Sequence, residues 1–598
     1  MAGIWLGRRA VRLRLASDPC LTGAVCYTLC LAYIDTICPG ACLSDTRSYA
    51  DHGSHHRRET GPRLLGWASC VVAGACLLAM LAVALAALTG GTDTVQHLID
   101  TVLGRYALNT LVLVLLVAVG TFCLGVGSAW LVTMTRFPGV RLFEVALVLP
   151  LAFPAYVMAY AYTYLLDHPG IVQSTLRDVT GWGPRDYWFP EIRSMGGAAT
   201  MLVLVLYPYV YLLARAAFLQ QSSAAFLAAR TLGHSSLSAF LRVSLPMARP
   251  AIAGGVLLAV METIADFGTV AYFSVQTFAT GIYTSWFSMA DRAGAAQLAL
   301  CLLSFALLLA LSERIQRGRA RYHHAGKAHV TMPPEALTGW RALASVVICA
   351  FPVVFGFLVP TVALFAMGID SEQDLLSRRY IGFISNSLTL ASVAAAVTVG
   401  AAVIVGFYQR LRPGKISSVA GYIARLGYAV PGGVIAVGLM VPFAAFDNAL
   451  DAWMRARFDY STGLLVTGSI WLLVGAYMVR FLAAALGAYE GGQSTVHVNM
   501  DAAARSLGQT PMGTLRRVHL PILTPSLLTA LLIVFVDVMK ELPATLIMRP
   551  FNYDTLAVQA YRLASDERLE GAAVPSLVIV AMGLLPVILI CRQVGRRR

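Results

Sequence analysis

Ala228-Ala229-Arg230-Thr231-Leu232-Gly233, nine residues, then Val243-Ser244-Leu245-Pro246, returns later in the chain as Ala503-Ala504-Arg505-Ser506-Leu507-Gly508, nine residues, Val518-His519-Leu520-Pro521. Small residues suited to a short helix, a glycine that stops it, a second short helix and a Leu-Pro step into an apolar run describe a helical hairpin at a membrane surface. Two copies at one spacing make the chain a duplication. A hairpin so placed is shaped to be gripped by another protein.

The sequence on either side of both hairpins belongs in a bilayer. Leu64 to Leu88 carries no ionisable side chain except cysteine thiols; as a helix it reaches about 37 Å, more than the roughly 30 Å of hydrocarbon. With 58% hydrophobic and 13% charged residues in 598, the chain is too apolar for a soluble enzyme of its size. Apolar runs place spans near 64–89, 107–134, 143–166, 197–220, 250–272 and 295–312, then 341–368, 384–408, 422–446, 463–488, 524–548 and 572–591. The expected fold is an all-α polytopic membrane protein with twelve transmembrane helices in two sets of six.

Basic residues set the orientation. Arg57, Arg58 and Arg63 precede the first span, and Arg136 and Arg141 follow the second. Arg314, Arg317, Arg319, Arg321 and Lys327 join the halves; Arg410, Arg412, Lys415 and Arg425 follow the eighth span; Arg592, Arg596, Arg597 and Arg598 end the chain. By the positive-inside rule both termini and both hairpins face the cytoplasm, and the mixed-charge loops 167–193 and 447–459 form modest external elements. The net charge of +14 is thus read as topology and not as a nucleic-acid surface.

The halves align beyond the hairpins. Asn109-Thr110 opens the second span as Asn386-Ser387 opens the eighth, and Pro154 matches Pro431. Downstream, Glu262 matches Asp537, Asp266 matches Glu541, Thr280 matches Thr555 and Asp291 matches Asp566. Both halves run in the same sense, a parallel duplication about an axis along the membrane normal. The expected organisation is an N-terminal extension at 1–60, a first repeat at 61–312, a cytoplasmic linker at 313–340 ending in Met332-Pro333-Pro334, and a second repeat at 341–598. In the extension, Arg8, Arg9, Arg12 and Arg14 before an apolar patch from Leu21 to Ile37 imitate a signal sequence, which Asp35 weakens. Cys26 and Cys30, Cys38 and Cys42, and the linker pair His323 and His324 are read as bland and not as metal ligands, and no CxxC spacing marks a zinc site or a disulfide framework.

A transporter needs an energy source. The three lysines are followed by Ala328, Ile416 and Glu541, so none sits in a Gly-Lys-Ser or Gly-Lys-Thr phosphate loop. If ATP drives this protein, a separate subunit binds it.

The repeated string resembles the coupling motif of binding-protein-dependent ABC importer permeases: EAA, three residues, Gly, nine residues, Ile-x-Leu-Pro. Leu227-Ala228-Ala229, Gly233 and Leu245-Pro246 occupy its places in the first copy, and Ala502-Ala503-Ala504, Gly508 and Leu520-Pro521 in the second. The departure is the acid, replaced by Leu227 and Ala502, with Asp501 one residue early. Glu262-Thr263-Ile264-Ala265-Asp266-Phe267-Gly268 with Gln276-Thr277-Phe278, and Lys540-Glu541-Leu542-Pro543-Ala544 with Arg549-Pro550-Phe551, look like the fused permeases of ferric iron ABC importers. This resemblance covers roughly residues 60–595. It implies a type I importer permease of two tandem six-helix repeats in a bacterial inner membrane, a periplasmic solute-binding protein, two copies of an ATPase subunit on the hairpins, ferric iron as solute, and ATP used by the partner with no cofactor held by this chain. Thiamine, phosphonate, sulfate and polyamine permeases share the motif and are the alternative solute classes.

The acids have their own physical reading. On an unbroken helix Glu262 and Asp266 share a face, as do Asp537 and Glu541. A charge at the bilayer centre costs about 2.5–3.5 kcal/mol, so these side chains are expected to face a polar pathway rather than lipid. The competing reading pairs the second-half acids with Lys540 or a neighbouring helix. They are candidates for brief contact with a cation, and no resident metal site is expected, since a tight one would stall transport. Tyr156, Tyr160, Tyr162 and Tyr164 read first as interfacial anchors, with lining of the cavity as the alternative. Without a catalytic constellation the chain is not expected to be an enzyme; a secondary transporter driven through the acids is the rival from another class.

Overall fold

The computed structural model describes residues 61–595 apart from 90, 222, 319–334, 372 and 375–376. The N-terminal extension with its cysteines, most of the linker with His323 and His324, and the last three arginines lie outside the described residues. Among those described, eleven helices are long and apolar enough to cross a bilayer: Arg63–Leu88, Gln96–Met134, Met195–Gln220, Ser236–Ala265, Arg292–Leu311, Gly339–Ile369, Arg378–Leu411, Gly432–Phe458, Ile470–Gln493, Pro511–Met539 and Leu569–Ile588. The twelfth is a bent pair, Val140–Ala152 with Ala155–Thr180, turned by 94°.

The expected continuous third span, 143–166, is therefore broken. Leu149–Ala152 tightens into a 3-10 turn, Phe153 becomes extended and Pro154 starts the next helix, because proline has no N–H to continue the ladder and forces its predecessor out of the helical region. Pro431 does the same in the second half, so the ninth span starts at Gly432 and not at 422. It continues to Phe458, which places Asp447 and Asp451 on that helix rather than in an external loop. The fifth span stops at Ala265 rather than 272, and the eleventh at Met539 rather than 548.

Within each half the second and fourth spans pack together: Gly104–Met134 against Met195–Gln220, and Arg378–Leu411 against Ile470–Gln493. Glycines set the approach. A Cβ on Gly125 would lie 2.6 Å from Val210 Cβ, and one on Gly255 2.8 Å from Val210 Cα, so helices two and five close on helix four only because those positions lack side chains. The first helix of each half crosses to the other: Gly61–Thr89 packs on Gly432–Phe458 and Arg378–Leu411, while Val359–Ile369 packs on Ala155–Leu166. Leu64, Leu81, Leu85, Leu108 and Leu115 remain exposed on the outer faces, as lipid contact requires.

Candidate functional site

The site begins where two helices break. After Ala265 the backbone of Asp266 turns extended, and its carboxylate accepts from the Thr269 and Val270 amides at 3.1 and 3.2 Å and from the Thr269 hydroxyl at 3.0 Å. This caps the short helix Gly268–Tyr272. Glu541 repeats the device after Met539, accepting from the Ala544 and Thr545 amides at 3.0 and 3.2 Å and the Thr545 hydroxyl at 2.8 Å, and so caps Pro543–Met548. The expectation that each acid pair shares one helix face is corrected. A carboxylate set just before free amide hydrogens gains more by capping them than by continuing the helix.

The chain then returns as Phe278–Tyr283 and Leu556–Ser565. The amide of Asn109 donates to the Gln276 carbonyl at 2.8 Å and that of Asn386 to the Asp554 carbonyl at 3.1 Å. Thr110 and Ser387 accept from the Phe278 and Leu556 amides at 3.3 and 2.8 Å. The Asn-Thr and Asn-Ser pairs thus satisfy the exposed backbone of a non-helical stretch at membrane depth, which is tolerated only when it is held in this way.

Between the breaks lies a cavity of about 130 Å³ whose lining includes Glu262, Asp266, Asp537 and Glu541. All four expected pathway acids meet there, two from each half. Arg480 and Lys540 line it too: Arg480 Nη1 stands 3.4 Å from Glu541 Oε1 and Lys540 Nζ 3.0 Å from Asp537 Oδ1. The Tyr428 hydroxyl donates to Glu262 at 3.2 Å and that of Tyr156 to the Lys540 carbonyl at 3.4 Å. Both bases come from the second half; Val205 and Ala265 line the same cavity at the matching places in the first. The second-half acids are therefore ion-paired and the first-half acids are held by neutral donors. Gly432 leaves the room that the Arg480–Glu541 pair occupies, since a Cβ there would collide with both groups.

Sequence reasoning passed over Arg480, although a lone arginine inside the apolar run 470–488 carried a signal: at that depth it must have an acidic partner. Tyr209 and Tyr428 carried none. The tyrosines of Ala155–Leu166 are corrected: Tyr156, Tyr160 and Tyr162 are buried, not interfacial, and Tyr156 lines the cavity.

The repeated strings fold as two hairpins. Ser223–Thr231 ends at Gly233, φ +88°, and Val498–Ser506 at Gly508, φ +76°, the left-handed stop that glycine adopts without strain. Ser235 and Thr510 cap the second helices, which run through Leu245-Pro246 and Leu520-Pro521 into the long spans. Ala229 and Ala504 face inward, whereas Leu227, Ala228, Ala502 and Ala503 face out. The hairpins are anchored differently. Phe226 packs with Ala229 and Ala239 in the first. In the second, Asp501 turns inward to Arg410 at 2.8 Å and His519 at 2.6 Å. Burial alone would raise its pKa, but those two partners hold it below the usual carboxylate value. Asp501 is thus an internal anchor and not an outward-facing substitute for the motif's missing acid.

Residues 121–322 match the family described as binding-protein-dependent transport system inner membrane component. The molybdenum transport system permease protein ModB of Escherichia coli (strain K12) is 30% identical over 208 residues, 33% of this chain and 87% of that protein. The chain belongs to this family. It is accordingly a multi-pass inner-membrane permease, a transport subunit rather than an enzyme. Within the binding-protein-dependent permeases it is also similar to the Fe(3+)-transport system permease protein FbpB 2 of Haemophilus influenzae, 27% identical over 524 residues, 86% of this chain and 95% of that protein. A solved bacterial ABC transporter involved in the import of the acidic polysaccharide alginate aligns at a TM-score of 0.35 and 14% identity, covering 43% of this chain and 96% of that one.

Proposed function

We propose that this chain is the transmembrane subunit of an ABC importer that moves ferric iron inward, handed over by a periplasmic binding protein and driven by two copies of a separate ATPase subunit seated on the hairpins. Both termini and both hairpins face the cytoplasm in this reading, and the chain itself holds neither ATP nor a cofactor. The observation that carries it is the cavity where carboxylates of both halves converge, four acids against two bases. A surplus of carboxylates attracts a cation, and hard oxygen groups suit ferric iron in kind. Support for the solute comes from the iron-transport relative, whose alignment takes in both halves.

Each hairpin is continuous with the long helix that ends at a cavity acid, Ser236–Ala265 in one half and Pro511–Met539 in the other. Closure of the ATPases on ATP draws the hairpins together, and the rigid helices carry that movement to the cavity about 40 Å away. Hydrolysis resets the halves.

Arg480 and Lys540 in the cavity, with the molybdenum relative, favour a second reading in which the solute is an oxyanion. One experiment separates the two. Proteoliposomes holding the chain, its ATPase and its binding protein are supplied with radiolabelled ferric iron or molybdate, with ATP inside or omitted. ATP-dependent iron uptake, abolished by Glu262→Gln with assembly intact, is the expected result. ATP-dependent molybdate uptake without iron uptake would overturn the solute and keep the permease; uptake of either without ATP would overturn the energy source.

A further inference from the structure

Away from the central cavity, a groove of about 570 Å³ opens between three spans of the first half. Leu115 and Phe122 wall it from the second span, Ile252, Ala253 and Val256 from the fifth, and Leu309 from the sixth. Leu115, Phe122 and Ala253 are exposed, so the groove is open to whatever surrounds the bundle. Its volume falls within the roughly 300–1,000 Å³ of sites that enclose a small molecule. Walls of this kind accept a hydrocarbon chain without leaving a buried polar group unpaired.

One lining residue is not apolar. Arg249 stands on the fifth span one turn past Leu245-Pro246, where the first hairpin runs into the bilayer. It is exposed, and among the described residues no carboxylate or other acceptor pairs with it. The helices that wall the groove offer no acid: 104–134 and 292–311 contain none, and on 245–265 the one acid is Glu262, which lines the central cavity. Arg242, two turns earlier, is exposed as well, and the sixth span leaves the apolar region through Glu313, Arg314 and Arg317. An arginine at the rim of an apolar wall sends its guanidinium to the headgroup level. From Arg249 to Val260 the fifth helix rises about 16 Å, close to half of the roughly 30 Å hydrocarbon thickness. A groove that is basic at the surface and apolar for the depth of one leaflet has the shape and charge of a single phospholipid.

The second half lacks the charge. Thr524 takes the place of Arg249 before the matching proline, and its hydroxyl is spent on the Leu520 carbonyl at 2.8 Å. We propose that the groove is a binding site for one anionic phospholipid per chain, with its phosphate on Arg249 and an acyl chain laid between the second, fifth and sixth spans. The lipid then braces the helix that carries the first hairpin against its two neighbours, and nothing equivalent braces the second.

The test uses the full chain in nanodiscs of equal phosphatidylglycerol and phosphatidylethanolamine, transferred to mild detergent, with retained lipid counted by native mass spectrometry. The wild type is expected to keep one phosphatidylglycerol, enriched about fivefold over phosphatidylethanolamine, as one arginine at the headgroup level provides. Arg249→Gln should lose that enrichment and Arg249→Lys should keep most of it. Ala253→Trp, which fills the groove and leaves the arginine in place, should lower retention of both lipids. Absence of enrichment in the wild type, or equal enrichment in the Gln variant, overturns the proposal and leaves Arg249 reaching only for water. A photoreactive side chain at position 253 identifies the occupant in native membranes. Adducts with phospholipid support the site; an adduct with another protein, or with a second copy of this chain, in their place overturns it.

Discussion

Arg480 shows what a single side chain does at membrane depth. Its partner Glu541 is only 2% exposed and also caps a helix, so the carboxylate is committed in two directions at once. Replacing one member of a buried ion pair strands the other charge, at a cost of about 3–5 kcal/mol. Arg480→Met is therefore expected to lower stability by about that amount, read from chemical unfolding in micelles, and Arg480→Met with Glu541→Gln to recover most of it because the stranded charge is gone. Asn386→Ala is a milder case. It removes the donor to the Asp554 carbonyl and should cost about 1 kcal/mol in the same measurement, with Asn109→Ala matching it in the first half.

The hairpins differ as elements because their anchors differ. Asp501 ties Val498–Ser506 to Arg410 and His519, and its pKa is held below the usual carboxylate value. A depressed folded-state pKa contributes stability that is present above the unfolded value, about 3.9, and is lost as pH falls through the folded one. The protection of amides in Val498–Ser506, meaning exchange relative to the intrinsic rate at each pH, should therefore hold from neutral pH to about pH 4 and fall below it, whereas that of Ser223–Thr231, anchored by Phe226, Ala229 and Ala239, should show no such step. Asp501→Asn should give the lower protection at neutral pH. At the tips the backbone governs: Ala at Gly233 or Gly508 meets no neighbour but must adopt positive φ, costing about 1 kcal/mol of local stability. Faster exchange confined to the substituted hairpin would report it.

At the scale of the whole molecule, the halves are interlocked. Gly61–Thr89 packs against helices of the second half and Val359–Ile369 against Ala155–Leu166 of the first. On one side of the bundle Arg193 adds a tie across the halves, meeting Glu567 through Nη1 and Nη2 at 2.7 and 2.9 Å while its Nε meets Asp167 at 3.0 Å. Its hydrogen bonds hold Glu567 below the usual carboxylate value. A half made alone exposes the surface its exchanged partner covers. Two chains divided between residues 319 and 334 should co-purify and restore uptake when made together, and each should be degraded when made alone; stable single halves would show that the exchange is not needed for folding.

Span count, duplication and both hairpins were legible in the sequence because each depends on local chemistry. Twenty or so apolar residues need no partner to declare a span, a glycine before a polar turn ends a helix wherever it stands, and equal spacing in two copies reveals a repeat by inspection. Tertiary structure decided the rest. Asp266 and Glu541 leave their helix faces to cap short helices, and Arg480 finds Glu541 across sixty residues. The tyrosines near 160 turn inward, and the first helices change sides. Each of these depends on which surface faces which, and in a bilayer, where lipid tails and leucines are equally apolar, hydropathy does not rank one helix partner above another. Close packing at glycines and the need to satisfy every buried polar group make that choice, and both are properties of the assembled bundle.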